Sequence, residues 1–118
     1  MNPYLTTKEF GNLYIIKILL SYGYPRVFVC RNDLYRRYLF YEIISTETTD
    51  TWLVTKLNKN DYKDILNKLK SIQSVYKDSN DLYSVSLTYN DYDDIVEVTR
   101  DVDNLLNLLP KEDVFYGD

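Results

Sequence analysis

Apolar positions along this chain switch between two periods, and the switches mark out its elements. Leu13, Tyr14, Ile15, Ile16, Lys17, Ile18, Leu19 and Leu20 are β-branched, aromatic or otherwise large on both faces of a period-two pattern, which predicts a strand covered on both sides. Gly23 and Pro25 punctuate the chain, Arg26 to Cys30 form a second short strand, and Arg31 to Asp33 supply turn chemistry. Arg37 to Ile44 and Thr51 to Leu57 read as third and fourth strands around a polar loop from Ser45 to Asp50, with Trp52, Leu53 and Val54 as anchors. Closely spaced strands with short connections describe an antiparallel meander.

The period then lengthens. Tyr62, Ile65, Leu66, Leu69 and Ile72 fall on one helical stripe, with Asn60 or Asp61 as N-cap. Tyr83, Val85, Leu87 and Tyr89 alternate with Ser84, Ser86 and Thr88, so that strand has one wet face. Asp94 to Thr99 is its hairpin partner across the Asn90 to Asp93 turn. Val102, Leu105, Leu106 and Leu109 make a second helical stripe ended by Pro110. The pattern predicts a single α+β domain over 1–118, an antiparallel sheet of about five to six strands with about two helices on one face.

The run Leu13 to Leu20, then Tyr22-Gly23-Tyr24-Pro25-Arg26-Val27-Phe28-Val29-Cys30-Arg31-Asn32, then Tyr38-Leu39 and Thr51-Trp52-Leu53-Val54 with a following helix, resembles an uncharacterised bacterial domain family. Its members show a tyrosine-rich turn, Pro-Arg-x-Phe, a Tyr-Leu strand and a Trp-Leu strand. The resemblance covers roughly residues 10 to 75, implies the fold and carries no biochemical activity.

Composition fits one folded domain: 118 residues, 45% of them apolar, with 13 Tyr and 4 Phe. The absence of alanine beside abundant Tyr, Asn, Ile, Lys and Asp points to an AT-rich coding sequence, as in a low-GC bacterium or one of its phages or mobile elements. With no histidine and a single cysteine, Cys30, the chain has no Ser-His or Cys-His nucleophile pair, His-ligated or Cys-rich zinc site or internal disulfide. Cys30 reads as a small buried hydrophobe on a strand. No cofactor or metal is expected. The N-terminus lacks the pattern of a leader and the Leu13 to Leu20 run is too short to cross a bilayer, so the expected location is the cytoplasm.

Charge is laid down unevenly. Residues 1–77 hold twelve Lys or Arg against seven acids, a formal +5, and 78–118 hold two against eleven, −9. One reading makes the acidic third, Asp78, Asp81, Tyr83, Tyr89, Asp91, Tyr92, Asp93, Asp94, Glu97, Asp101 and Asp103, a face for a basic bacterial protein such as a defence nuclease or a toxin. The chain would then be a non-catalytic inhibitor or antitoxin-like module, and not an enzyme. A calcium loop does not explain these acids: counted from Asp91, the places for Gly and Glu hold Val96 and Val102.

A solvated turn followed by acids at a helix N-terminus is the plainer account of the same residues. The alternative function is a small nucleic-acid or nucleotide binder using Tyr24, Arg26, Arg31, Tyr35, Arg36 and Arg37, which mix cations with rings, although a pI of about 4.8 argues against it. Within that segment the Tyr-Gly-Tyr-Pro-Arg corner either aims Arg26 as an anion clamp or pairs it with a sheet carboxylate such as Glu42. Self-association through a sheet edge is left open.

Overall fold

The expected meander forms, and it curls further than the sequence suggested. The computed structural model describes residues 2–100 and 103–117, and the side chains of all of these except 103 and 104. The strands are β1 (Leu5–Thr7), β2 (Gly11–Ser21), β3 (Pro25–Arg31), β4 (Arg37–Ser45), β5 (Thr49–Leu57), β6 (Leu82–Thr88) and β7 (Ile95–Arg100). Helices α1 (Lys59–Leu66) and α2 (Ile72–Lys77) lie between β5 and β6, and the single turn α3 (Asp103–Leu106) follows β7. All seven strands pair antiparallel in chain order, and Cα atoms of β1 and β7 approach within 8 Å, so the sheet is nearly closed into a barrel. The expectation of five to six strands under two helices is thus corrected to a mostly β single domain. The added strand, β1, is three residues long and too short to carry a period. A radius of gyration of 13.7 Å matches the about 13 Å of a compact domain near this length.

Alternate residues of each strand serve two cores. Leu13, Phe28, Cys30, Tyr38, Phe40, Trp52, Val54 and Val85 point into the barrel. There Phe28 stacks on Phe40 with centroids 5.2 Å apart, and Trp52 meets both rings edge-on at 6.2 and 6.0 Å. Among the described residues these side chains form one packed cluster in the interior. The other face, Val27, Val29, Leu39, Tyr41 and Leu53, packs under Ile65, Ile72, Val75, Tyr76 and Leu109. Two-sided burial explains the unbroken apolar runs of β3 to β5.

Strand β2 and the helical stripe both differ from the sequence pattern. In β2 the register shifts between Ile15 and Lys17 and again between Ile18 and Leu20. These bulges turn Leu13 and Ile15 to the interior and Leu19 to the outer core, while Ile16 and Ile18 face solvent, so the strand is not covered on both sides throughout. The stripe from Tyr62 to Ile72 is also two helices. Asn58 caps α1 by accepting from the Asp61 N–H at 2.8 Å, ahead of the expected Asn60 or Asp61. Lys68 takes a left-handed φ of 61° that ends α1, and this leaves Leu69 exposed. Of the last stripe, Val102 lies outside the described residues, and Leu109 is buried in the outer core.

Polar side chains fasten the outer layer. Tyr76 Oη donates toward the carbonyls of Leu39 and Leu53, 2.9 and 3.0 Å away on adjacent strands, and so pins α2 to the sheet. Buried Gln73 donates to the Pro110 and Glu112 carbonyls and accepts from the Val114 N–H at 2.8 Å, which holds the C-terminal segment on α2. Tyr76→Phe keeps the ring but deprives two buried carbonyls of a donor. It should lower stability by roughly 1–3 kcal/mol, seen in urea unfolding as an earlier midpoint with an unchanged slope.

Candidate functional site

In an up-and-down meander, alternate turns share an end of the sheet. One end therefore gathers the β2–β3 turn at 22–24, the β4–β5 turn at 46–48 and the β6–β7 turn at 89–94. Tyr4, just before β1, joins them. This end carries Glu42, Glu47, Asp50, Asp91, Asp93 and Asp94, with Arg26 among them. Its tyrosines are exposed, Tyr92 most of all at 95%, then Tyr22 at 80%.

Local hydrogen bonds fix these turns. Asn90 Oδ1 accepts from the Tyr92 and Asp93 N–H groups at 2.9 and 2.8 Å, a side chain bonding the backbone just ahead of it. Tyr89 ties this turn to its neighbour: its N–H donates to the Thr48 carbonyl and its hydroxyl to Asp50 Oδ2, both at 2.8 Å. Ser45 Oγ donates to Asp50 Oδ1 at 2.7 Å. Deeper in the same end, Tyr24 Oη donates to Glu42 Oε1 at 2.9 Å, while Arg26 Nε is 3.9 Å from that oxygen and its guanidinium lies 6.0 Å from the Tyr22 ring. The Tyr-Gly-Tyr-Pro-Arg corner thus turns on Gly23, at a φ of 76°, and sets Arg26 beside a sheet carboxylate.

Electrostatics follow this crowding. Glu42 is shielded from direct contact with water, its side chain 3% exposed near the rim. Burial raises its pKa and the charge of Asp50 adds to the rise, against the Tyr24 hydrogen bond and Arg26. Tyr89 is pushed up to about 12, by burial first and then by its hydrogen bond to Asp50 and that group's charge. Tyr4 is raised by burial, with Asp50 next. Cys30 is fully buried and burial pushes its thiol up, so it is an inert core residue.

The structure divides the acidic third of the chain. It brings together Tyr89, Asp91, Tyr92, Asp93 and Asp94. Asp78, the C-cap of α2, and Asp81 and Tyr83 lie toward the opposite end, where Asp81 pairs with Arg100 and the Arg100 guanidinium stands 5.4 Å from the Tyr83 ring. Glu97 is exposed between Val96 and Val98, which pack toward the interior, so it faces outward from mid-strand. Asp101 lies outside the described residues, as does the side chain of Asp103 at the start of α3. Glu42, Glu47 and Asp50 belong to the gathered end although they precede it by some 40 residues in sequence. The pairing of β5 with β6 puts the turn at 46–48 on the same end as the turn at 89–94.

The arginine and tyrosine set divides too. Tyr24 and Arg26 lie at the acidic end. Arg31, Tyr35, Arg36 and Arg37 lie at the other, where Arg31 is 4.8 and 4.7 Å from the rings of Tyr14 and Tyr35 and Arg37 is 5.4 Å from that of Tyr62. Among the described residues no three acidic or sulfur side chains are grouped to hold a metal ion, and no helix is long and apolar enough to cross a membrane.

Glu42 binds its proton more tightly folded than unfolded, so its contribution is fully present below the ordinary carboxylate pKa and is lost as pH rises through the raised one. Glu42→Gln can still accept from Tyr24 and should remove this loss. Its stability relative to wild type, measured by urea unfolding, should therefore be greater at pH 7 than at pH 4.

Neither a curated protein nor a solved structure matches the chain. A family described as a family of unknown function (DUF6575) matches residues 3–115, nearly the whole chain and both ends of its barrel, and the protein belongs to that family.

Proposed function

We propose that this chain is a non-catalytic binding module that engages a basic partner protein through the acidic, tyrosine-bearing end of its barrel. The observation that carries the reading is the meeting of two turns distant in sequence: Asp91, Asp93 and Asp94 on one, Glu47 on the other with Asp50 beside it at the start of β5, joined through Tyr89. Clustered like charge steers a cationic partner into encounter and speeds association. Tyr22, Tyr24, Tyr89 and Tyr92 add amphipathic area with little side-chain entropy to lose, the composition favoured where a surface must be both wet and adhesive. Their turns are held by hydrogen bonds already made, so docking orders few groups.

A surface of this sign suits the cationic active site or nucleic-acid groove of a toxin or defence nuclease. Blocking such a groove requires no chemistry from the blocker, in keeping with an inhibitor or antitoxin-like role in a bacterium or phage.

Co-purification from the native host should yield a stoichiometric basic protein. The variant Asp91→Lys/Asp93→Lys/Asp94→Lys should weaken that protein's binding on the order of tenfold or more, chiefly through slower association, with unchanged circular dichroism and melting. A partner held equally well by the reversed surface would refute the reading.

A further inference from the structure

The opposite end of the barrel has the reverse polarity and is shaped as a groove. A cavity of about 390 Å³ is lined by Phe10, Arg36, Tyr38, Lys56, Tyr83 and Arg100, with Glu9 and Val98 completing it. A second, of about 440 Å³, is lined by Tyr35, Arg36, Arg37, Lys56 and Lys59, with Leu57 and Asn58. Arg36 and Lys56 line both, so the two hollows adjoin at these cations and together make up the groove. Glu9 is its one acidic lining residue against five cations.

We propose that this groove binds a short segment of single-stranded nucleic acid, with Arg36 and Lys56 on its phosphates and Tyr35 against a base. Arg36 and Lys56 are exposed, and neither has an ion-pair partner among the described residues, unlike Arg100, which is paired with Asp81. The backbone carrying both cations is fixed. Lys56 projects from β5 opposite Tyr38. Arg36 leaves a loop organised by buried Asn32, whose Oδ1 accepts from the Leu34 and Arg36 N–H groups at 3.0 Å and whose amide donates to the Phe10 carbonyl at 3.1 Å. That loop places Tyr35 at a left-handed φ of 60° with its side chain outward, 71% exposed. Arg31 stacks near one face of this ring, and so much exposure leaves the other free.

Cations along an open groove beside a free ring suit a flexible strand whose bases can unstack onto protein. A duplex hides its bases and has no use for Tyr35. A compact recess for a single nucleotide is not what the first cavity offers, because Phe10 and Tyr38 already pack together there at 4.6 Å.

The formal charge of −4 does not forbid this. The seven residues of β3 separate the two ends by roughly 20 Å at about 3.3 Å per residue. This exceeds two Debye lengths at physiological salt, about 8 Å each. The acidic end is therefore screened from the basic one.

The test is fluorescence anisotropy of the whole chain with a labelled oligothymidine of about 12 nucleotides, across a salt series. Wild type should bind with Kd on the order of 10⁻⁶ to 10⁻⁴ M, more weakly as salt rises. Arg36→Glu/Lys56→Glu should abolish binding, and the milder Lys56→Gln should flatten the logarithmic salt slope by about 0.7, one phosphate contact. Tyr35→Ala should cost about tenfold with the slope retained. The acidic-end variant Asp91→Lys/Asp93→Lys/Asp94→Lys should still bind, which separates this result from the fate of the protein-binding reading. The proposal is overturned if wild type shows no binding at low salt, if the double reversal binds as wild type does, or if thymidine monophosphate or duplex DNA competes as well as the oligonucleotide.

Discussion

Strands β3, β4 and β5 are apolar on both faces, and two short helices with a C-terminal segment can shield one of them. The second face must be removed from water by other means. Among the described residues no further layer lies there, and the sheet rolls until its far strands cover the aromatic cluster around Phe28, Phe40 and Trp52. Curling follows from that need, and the bulges in β2 allow it by letting one strand serve the interior first and the outer core afterwards.

Rolling also decides the charge geometry. A flat meander would spread its turns along two edges, whereas a near-barrel draws them into two rims. Acidic residues from the middle and the end of the chain meet at one rim, and arginines and lysines from β3 to α1 meet at the other. Linear charge asymmetry thus becomes an axial one, although the mapping is partial, because Asp78 and Asp81 remain on the basic side and Asp81 is paired there with Arg100.

Legibility in the sequence tracked how local each cause was. Six strands and the Asn90 to Asp93 turn could be read from alternation and turn residues, since the physics lies within a few positions. The break at Lys68 could not, because a lysine in the left-handed region carries no glycine-like signal and the stripe of Ile65, Leu66 and Ile72 is the same for one helix or two. The curl itself depends on pairing over the whole sheet. The pairing of Arg26 with Glu42 was anticipated as one of two readings of its corner. The link from Tyr89 to Asp50, which joins the acidic turns, spans 39 positions and appears in no window of sequence.

Cys30 lends the fold a built-in reporter. As the chain's lone thiol, sealed among Leu13, Phe28 and Tyr38 inside the barrel, it meets a dissolved alkylating agent when the barrel opens. The speed of its modification therefore clocks breathing of the interior, with no introduced label and no competing sulfhydryl to confuse the count.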